Sequence, residues 1–242
     1  MSDPMRDFER LTAAIDAIAV HVERYERYAA ELHRASAEQA GLRRLRPGLR
    51  PRLDDMEAEL SYLRLRAVEP ATVVQIGGDG WSAAWLLRAL RDNGHGRLHS
   101  FDPSGRAAAT VPEDLAAGRW ELTAGDVRAR ADRLPAEIDY LFLDGDHSAR
   151  LAKWYLPNVV ARLAPGTPVS VDGVFRHRRP RPFGEAALIL KWLREGRMDY
   201  FTAAPARQPV IHRQLDRVRR ALGFDDPLRT GRRNPMIFFH TA

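Results

Sequence analysis

The chain has 242 residues, a formal net charge of +6 and no cysteine. That length supports one α/β domain with a substantial core, with or without an appendage, and the missing cysteine excludes disulfides, thiolate metal sites and a cysteine nucleophile. No apolar run approaches the roughly 20 residues of a membrane span, and the start MSDPMRDFERL lacks the apolar stretch of a secretion signal. A soluble, cytoplasmic protein is expected. Lysine occurs only at Lys153 and Lys191, so the positive charge is nearly all arginine, interleaved with Asp and Glu. Nucleic-acid binding is therefore not expected; recognition of an acidic small molecule or a phosphate suits this balance better.

Residues 5–40 carry Phe8, Leu11, Ile15, Ile18, Val22, Tyr25, Ala29 and Leu32 at alternating spacings of three and four, an a/d seam along one helix. Such a seam can pack on its own domain, join two copies of the chain as a homodimer, or cover a site as a lid. Gly41 and the prolines of GLRRLRPGLRPR are expected to end that helix in a basic linker over residues 41–52. Residues 1–52 are thus read as a helical extension and residues 53–242 as the main domain. A second helix is expected over Leu53–Ala67. Thr72–Ile76 is an apolar, β-branched first strand; Gly77, Gly78 and Gly80 follow it, then a helix over Trp81–Asp92. Arg97–Phe101 is a second strand ending at Asp102, and Trp120–Thr123 a third. The fourth, Ile138–Leu143, runs into Asp144-Gly145-Asp146-His147. A helix over Ala149–Leu163 leads to a fifth strand, Pro168–Val171, which ends at Asp172. One more helix, Ala186–Glu195, and two strands, Asp199–Thr202 and Met236–Phe239, complete the pattern, with mixed helix and loop over residues 204–234. Strands alternating with helices at this spacing predict parallel βαβ units in a doubly wound, Rossmann-like α/β sheet.

In such sheets ligands bind beyond the carboxyl ends of the strands, near the point where strand order reverses. Gly77, Gly78 and Gly80 allow close backbone approach and positive φ, and the helix start beyond them offers free N–H groups. Their spacing matches neither G-x-x-x-x-G-K-[ST] nor G-x-G-x-x-G. Asp102 can accept ribose hydroxyls or serve as a turn aspartate before Pro103. Asp126, after the third strand in LTAGDVRA, can reach an adenine amino group or cap a helix. Charged groups are costly to desolvate, so an apolar strand ending in Asp144, Asp146 and His147 marks a site.

In this order the segments VVQIGGDGWS, HSFDPSG, AGDVRA, IDYLFLDGDHS and LAPGTPVSVDGVF resemble class I S-adenosylmethionine-dependent methyltransferases. The nearest likeness is to bacterial small-molecule O-methyltransferases whose fourth strand ends in Asp-Gly-Asp-His. The resemblance spans roughly residues 56–203, with a weaker match at NPMIFF. It implies a seven-stranded, mostly parallel sheet and methyl transfer to a small-molecule hydroxyl, on a secondary metabolite or a sugar. It further implies that Gln75, Gly77, Gly78, Gly80, Ser82, Asp102, Asp126, Val127 and Asp144 hold S-adenosylmethionine. The chain is more distantly similar to catechol and caffeoyl-coenzyme A O-methyltransferases. By that pattern Asp144 and Asp172 bind a divalent cation, Mg²⁺ or Ca²⁺, and His147, working beside Asp144, is the general base. His177 is then placed to flank the acceptor pocket, and the arginines of residues 176–181 to steer an anionic acceptor. Two positions depart from the pattern: Gln75 stands in place of an acid, and Gly173 in place of the asparagine of an Asp-Asn pair. The glycine loop is also one residue short. A methyltransferase-like binding or scaffold protein without chemistry, and a nicotinamide-dependent oxidoreductase, are the alternatives.

Overall fold

A computed structural model describes residues 16, 18–46, 49, 51–176, 181–225, 229, 233 and 235–242. Phe8, Leu11, Ile15 and His177 lie outside them. The architecture is a seven-stranded sheet in the order β3-β2-β1-β4-β5-β7-β6. Its strands are β1 (Thr72–Gly77), β2 (Arg97–Asp102), β3 (Trp120–Ala124), β4 (Tyr140–Asp144), β5 (Pro168–Val171), β6 (Tyr200–Phe201) and β7 (Ile237–His240). The first five are parallel, and β7 runs antiparallel to both β5 and β6. Every expected strand is present, with its ends within two residues of the expected ones. Strand order reverses between β1 and β4, which makes their carboxyl ends the switch point.

Both faces of the sheet are covered, and the period-two alternation of the strands divides the core between them. Val73, Tyr140, Phe142 and Phe238 point to one face, where they meet Trp81, Trp85, Tyr62 and Leu63. Val74, Leu141, Leu143, Ile237 and Phe239 point to the other, against Tyr155, Leu156, Ile189 and Leu193. The first face is covered by α1 (Ala29–Leu45), α2 (Asp55–Val68) and α3 (Gly80–Asn93); the second by α5 (Ala149–Asn158) and α6 (Glu185–Glu195). A one-turn α4 (Glu113–Ala116) precedes β3, and α7 (Pro209–Ala221) lies between β6 and β7. The helix expected to reach Leu163 stops at Asn158, with Pro157 in its last turn, and a short 3₁₀ turn follows over Val160–Arg162.

The described part of the N-terminal segment packs into the first core. Tyr25, Leu32, Ala35 and Leu42 are buried in the same cluster as Val73 and Tyr140. Polar bonds fix it there: Tyr25 donates to Glu59 Oε2 at 2.7 Å, and the Arg219 guanidinium donates to both oxygens of the same carboxylate at 2.5 and 2.6 Å. Gly41 does not end the helix, which runs on to Leu45. A single glycine weakens a helix by only about 1 kcal/mol relative to alanine, and α1 has packing to offset that.

Candidate functional site

Register brings the sequence-marked residues to one edge. Gly77 pairs with Asp144 across β1 and β4, and Leu143 with Val171 across β4 and β5, so Asp144 and Asp172 emerge side by side. Asp102 ends the neighbouring β2. Gly77 and Gly78 have φ of 77° and 82°. A side chain on Gly77 would strike the backbone of Asp144 and Gly145, and Gly78 N donates to Asp144 O at 2.5 Å. The glycines are needed here because the two strand ends press together.

A cleft of about 410 Å³ opens over this edge, lined among others by Gly77, Gly78, Asp102, Asp126, Val127 and Asp144. Its size falls among small-molecule sites, which run from about 300 to 1,000 Å³. Phe101 and Leu151 add apolar wall, and Arg52 stands at its side. A larger depression of about 680 Å³ lies at the opposite edge, around Ile138, Asp139 and Thr167, where the strands begin and none of the sequence-marked groups gather.

Gln75, Gly80 and Ser82 stand behind the cleft rather than on its wall. The Gln75 amide, 1 % exposed, donates to Ser82 Oγ at 2.9 Å and accepts from Ser100 Oγ at 2.8 Å, and Trp120 Nε1 donates to Ser100 Oγ at 2.9 Å. An ionised acid only accepts hydrogen bonds, whereas an amide can do both, and this chain needs both. Gly80 leaves room for the Thr110 side chain. Asp102 is more constrained than a bidentate ribose clamp requires. Its Oδ1 accepts from Ser104 N and Ser104 Oγ, both at 2.8 Å, and Oδ2 from Ala107 N at 3.0 Å. Of about four acceptor positions on a carboxylate, one remains, on Oδ2. Asp126 caps the 3₁₀ turn over Val127–Arg133, accepting from Arg128 N at 2.9 Å. The hydrogen-bonded Arg128 guanidinium beside it holds its carboxyl below the usual range.

Beside the cleft, ligand atoms of Asp144, His147 and Asp172 all lie within 4.8 Å of one another. Burial pushes the Asp144 carboxyl well up, and the neighbouring Asp172 and Asp79 push it further. Asp172 is held by Arg176 Nη2 at 2.6 Å. Asp146 stays out of the group: its Oδ1 accepts from Ser148 N at 2.9 Å. His147 has a φ of 55°, a conformation that calls for local support in a residue with a side chain. The support is a carboxylate. His147 Nδ1 lies 2.9 Å from Glu185 Oε2, and Tyr155 donates to Glu185 Oε1 at 2.9 Å. With Nδ1–H donating to Glu185, the lone pair falls on Nε2. That atom is buried without a hydrogen-bond partner among the described residues, and 3.6 Å from Asp172 Oδ2.

Gly173 explains its own departure from the expected Asp-Asn pair. A Cβ there would come within 2.7 Å of the His147 ring atoms Cε1 and Nδ1, and φ is 79°. The imidazole occupies the room an asparagine would need. The cluster therefore offers two carboxylates and one imidazole, not a set of oxygens alone. Carboxylates suit Mg²⁺ or Ca²⁺; an imidazole ligand widens the range toward Mn²⁺, Fe²⁺ or Zn²⁺. The residues fit a divalent cation, with the condition that His147 Nε2 cannot be ligand and proton acceptor at once.

Sequence reasoning missed three residues of this site. Glu185 and Tyr155 follow β5 and β4 on helices and carry no local motif. Arg52 falls in the basic linker and carries no motif of its own, yet it stands 4.0 Å from Asp79 at the cleft wall.

Residues 74–174 match a family model described as a methyltransferase domain. No curated protein matches the chain. Among solved structures, an O-methyltransferase from Bacillus cereus in complex with S-adenosylhomocysteine is 14 % identical, over 88 % of this chain and 91 % of that one, with a TM-score of 0.56. TomG, an O-methyltransferase from Streptomyces achromogenes involved in tomaymycin synthesis, solved with S-adenosylmethionine, is 17 % identical over 86 % and 90 %, also at 0.56. The S-adenosylhomocysteine-bound Podospora anserina methyltransferase PaMTH1 is 18 % identical over 91 % and 96 %, at 0.52. The chain thus shares its fold with these methyltransferases, and the methyltransferase-domain match covers the stretch that carries Gly77, Asp102, Asp126, Asp144, His147 and Asp172.

Proposed function

We propose that the chain is an S-adenosylmethionine-dependent methyltransferase acting on a hydroxyl of a small molecule, with His147 as general base. The observation that carries this reading is the buried Nε2 of His147, without a hydrogen-bond partner among the described residues and set beside Asp144 at the edge of the cleft. S-adenosylmethionine, when bound, supplies an electrophilic methyl on a sulfonium. The chain then has to hold donor and acceptor in line and keep the acceptor deprotonated. Phe101, Val127 and Leu151 offer apolar surface to a purine, and Asp102 Oδ2 one hydrogen bond to a ribose hydroxyl; Asp126, both of whose oxygens now accept from Arg128, takes the purine amino group in place of that guanidinium. Gly77 and Gly78 let the donor's chain lie against backbone. Burial and the neighbouring Asp172 raise the Asp144 carboxyl, and a divalent cation held beside it would favour the ionised form.

His147 takes the hydroxyl proton on Nε2. Glu185 then faces the imidazolium through Nδ1–H, and Tyr155 keeps Glu185 in place. A divalent cation would be held by Asp144 and Asp172, where it would lower the acceptor's pKa. Titration of S-adenosylhomocysteine by calorimetry tests the donor half: pure folded protein that binds none contradicts it. His147→Ala tests the other half: turnover is expected to fall while donor binding persists, and unchanged turnover removes His147 from the mechanism.

The three local hydrogen bonds on Asp102 favour a second reading, a binding or scaffold protein of the same fold. Donor binding with no methyl transfer to any of a broad acceptor panel supports that reading instead.

A further inference from the structure

A third cavity, of about 520 Å³, adjoins the Asp144–His147–Asp172 group at Asp172, lined by Arg52, Asp54, Asp172, Arg176, Arg229 and Arg233 with Pro235. Two residues join it to the site already described. Arg52 lines both cavities. Asp172 lines this one and stands within 4.8 Å of Asp144 and His147.

The charges on its wall do not cancel. Asp172 is taken by Arg176 at 2.6 Å, and Asp54 by Arg229 Nε at 3.1 Å. Arg229 is further tied to the carbonyls of Pro51 and Arg52, both at 2.5 Å. That leaves Arg52, whose only ion pair among the described residues is a long 4.0 Å contact with Asp79, and Arg233, whose guanidinium has none. The backbone of Arg233 is held through its N–H to Asp54 Oδ2 at 3.3 Å. Four guanidinium groups thus face two carboxylates around one cavity. Guanidinium donors match carboxylate and phosphate oxygens in pairs. A neutral ligand would partly desolvate the two surplus cations and return nothing for them.

We propose that this cavity holds the methyl acceptor by an anionic group, a carboxylate or a phosphate, and so presents the acceptor's hydroxyl to His147. This rests on the methyltransferase reading above. The anchoring residues are Arg52 and Arg233, with Arg176 and Arg229 completing the positive wall.

The test is calorimetric titration of two probes, benzoate and inorganic phosphate, at fixed ionic strength into the full chain. S-adenosylhomocysteine is titrated in parallel. Arg233 and Arg52 are exposed, so Arg233→Gln and Arg52→Gln are expected to fold, and thermal unfolding checks this. Saturable binding of at least one probe is expected, weakened tenfold or more by Arg233→Gln, with S-adenosylhomocysteine affinity unchanged in that variant. Tighter benzoate assigns a carboxylate and tighter phosphate a phosphate. Neither probe binding to protein that does bind S-adenosylhomocysteine overturns the proposal, as does binding that survives undiminished in both variants. If the probes bind as expected but S-adenosylhomocysteine does not, the anion site stands and the methyl-donor reading falls.

Discussion

Replacing Asp144 by asparagine is expected to stabilise the ligand-free protein while abolishing methyl transfer. Asp144 is 2 % exposed, and its ligand oxygen lies within 4.8 Å of one on Asp172. With an effective dielectric near 20, two ionised carboxylates at that distance repel by about 3.5 kcal/mol. Arg176, 2.6 Å from Asp172, offsets part of this. Keeping Asp144 protonated instead is also unfavourable. An acid whose folded pKa is raised binds more protons in the folded state, so the protein loses stability as pH rises above the unfolded value near 3.9, by at most about 4 kcal/mol at pH 7. Either way the penalty at neutral pH is roughly 1–4 kcal/mol, which Asp144→Asn removes. For a chain of this size that is a rise in Tm of roughly 2–15 °C. The assay is thermal and urea unfolding of both proteins with chelator present, from pH 4 to pH 8. The two curves should nearly meet at pH 4 and separate as pH rises, and a divalent cation or S-adenosylmethionine should narrow the gap by stabilising the wild type. A variant less stable than wild type at pH 8, or a gap that does not change with pH, refutes the reasoning.

Three further substitutions probe the supports of the site. Glu185→Gln leaves His147 without its carboxylate and should lower kcat about 10- to 100-fold with little change in S-adenosylhomocysteine affinity, read by steady-state kinetics and calorimetry. Gly173→Ala places a methyl against the His147 ring at a φ of 79° and should destabilise by more than about 1 kcal/mol in urea, with turnover falling further than stability alone explains. Glu59→Ala strips the acceptor from buried Tyr25 and leaves half-buried Arg219 with only the longer Asp216 pair at 3.8 Å, and should lower urea-unfolding stability by about 3 kcal/mol. No loss there would mean that the N-terminal helical segment is not fastened through this carboxylate.

The fold was legible because its signals are local. β-branched runs, glycine turns and the acids at strand ends mark β1 to β5 in order, and parallel pairing then forces their carboxyl ends together. Asp102, Asp126, Asp144, His147 and Asp172 were found that way. The roles of neighbours were not legible. Gln75 looks like a degraded acid until Ser82 and Ser100 are seen on either side of it, and Gly173 looks like a lost ligand until the His147 ring is seen in the space. Both meanings depend on contacts 7 to 26 residues away in the chain. Glu185 and Arg52 belong to the same class: one is a helix-start acid, the other a linker arginine, and only the folded edge brings them to the site. Gly41 misled for a different reason, since packing of α1 overrides one weak residue.

The central claim is that this sheet edge binds the methyl donor. Titration of S-adenosylhomocysteine into wild type and Asp126→Ala tests it most directly: one site per chain is predicted, weakened in the variant. Folded wild-type protein that gives no saturable binding would contradict the account.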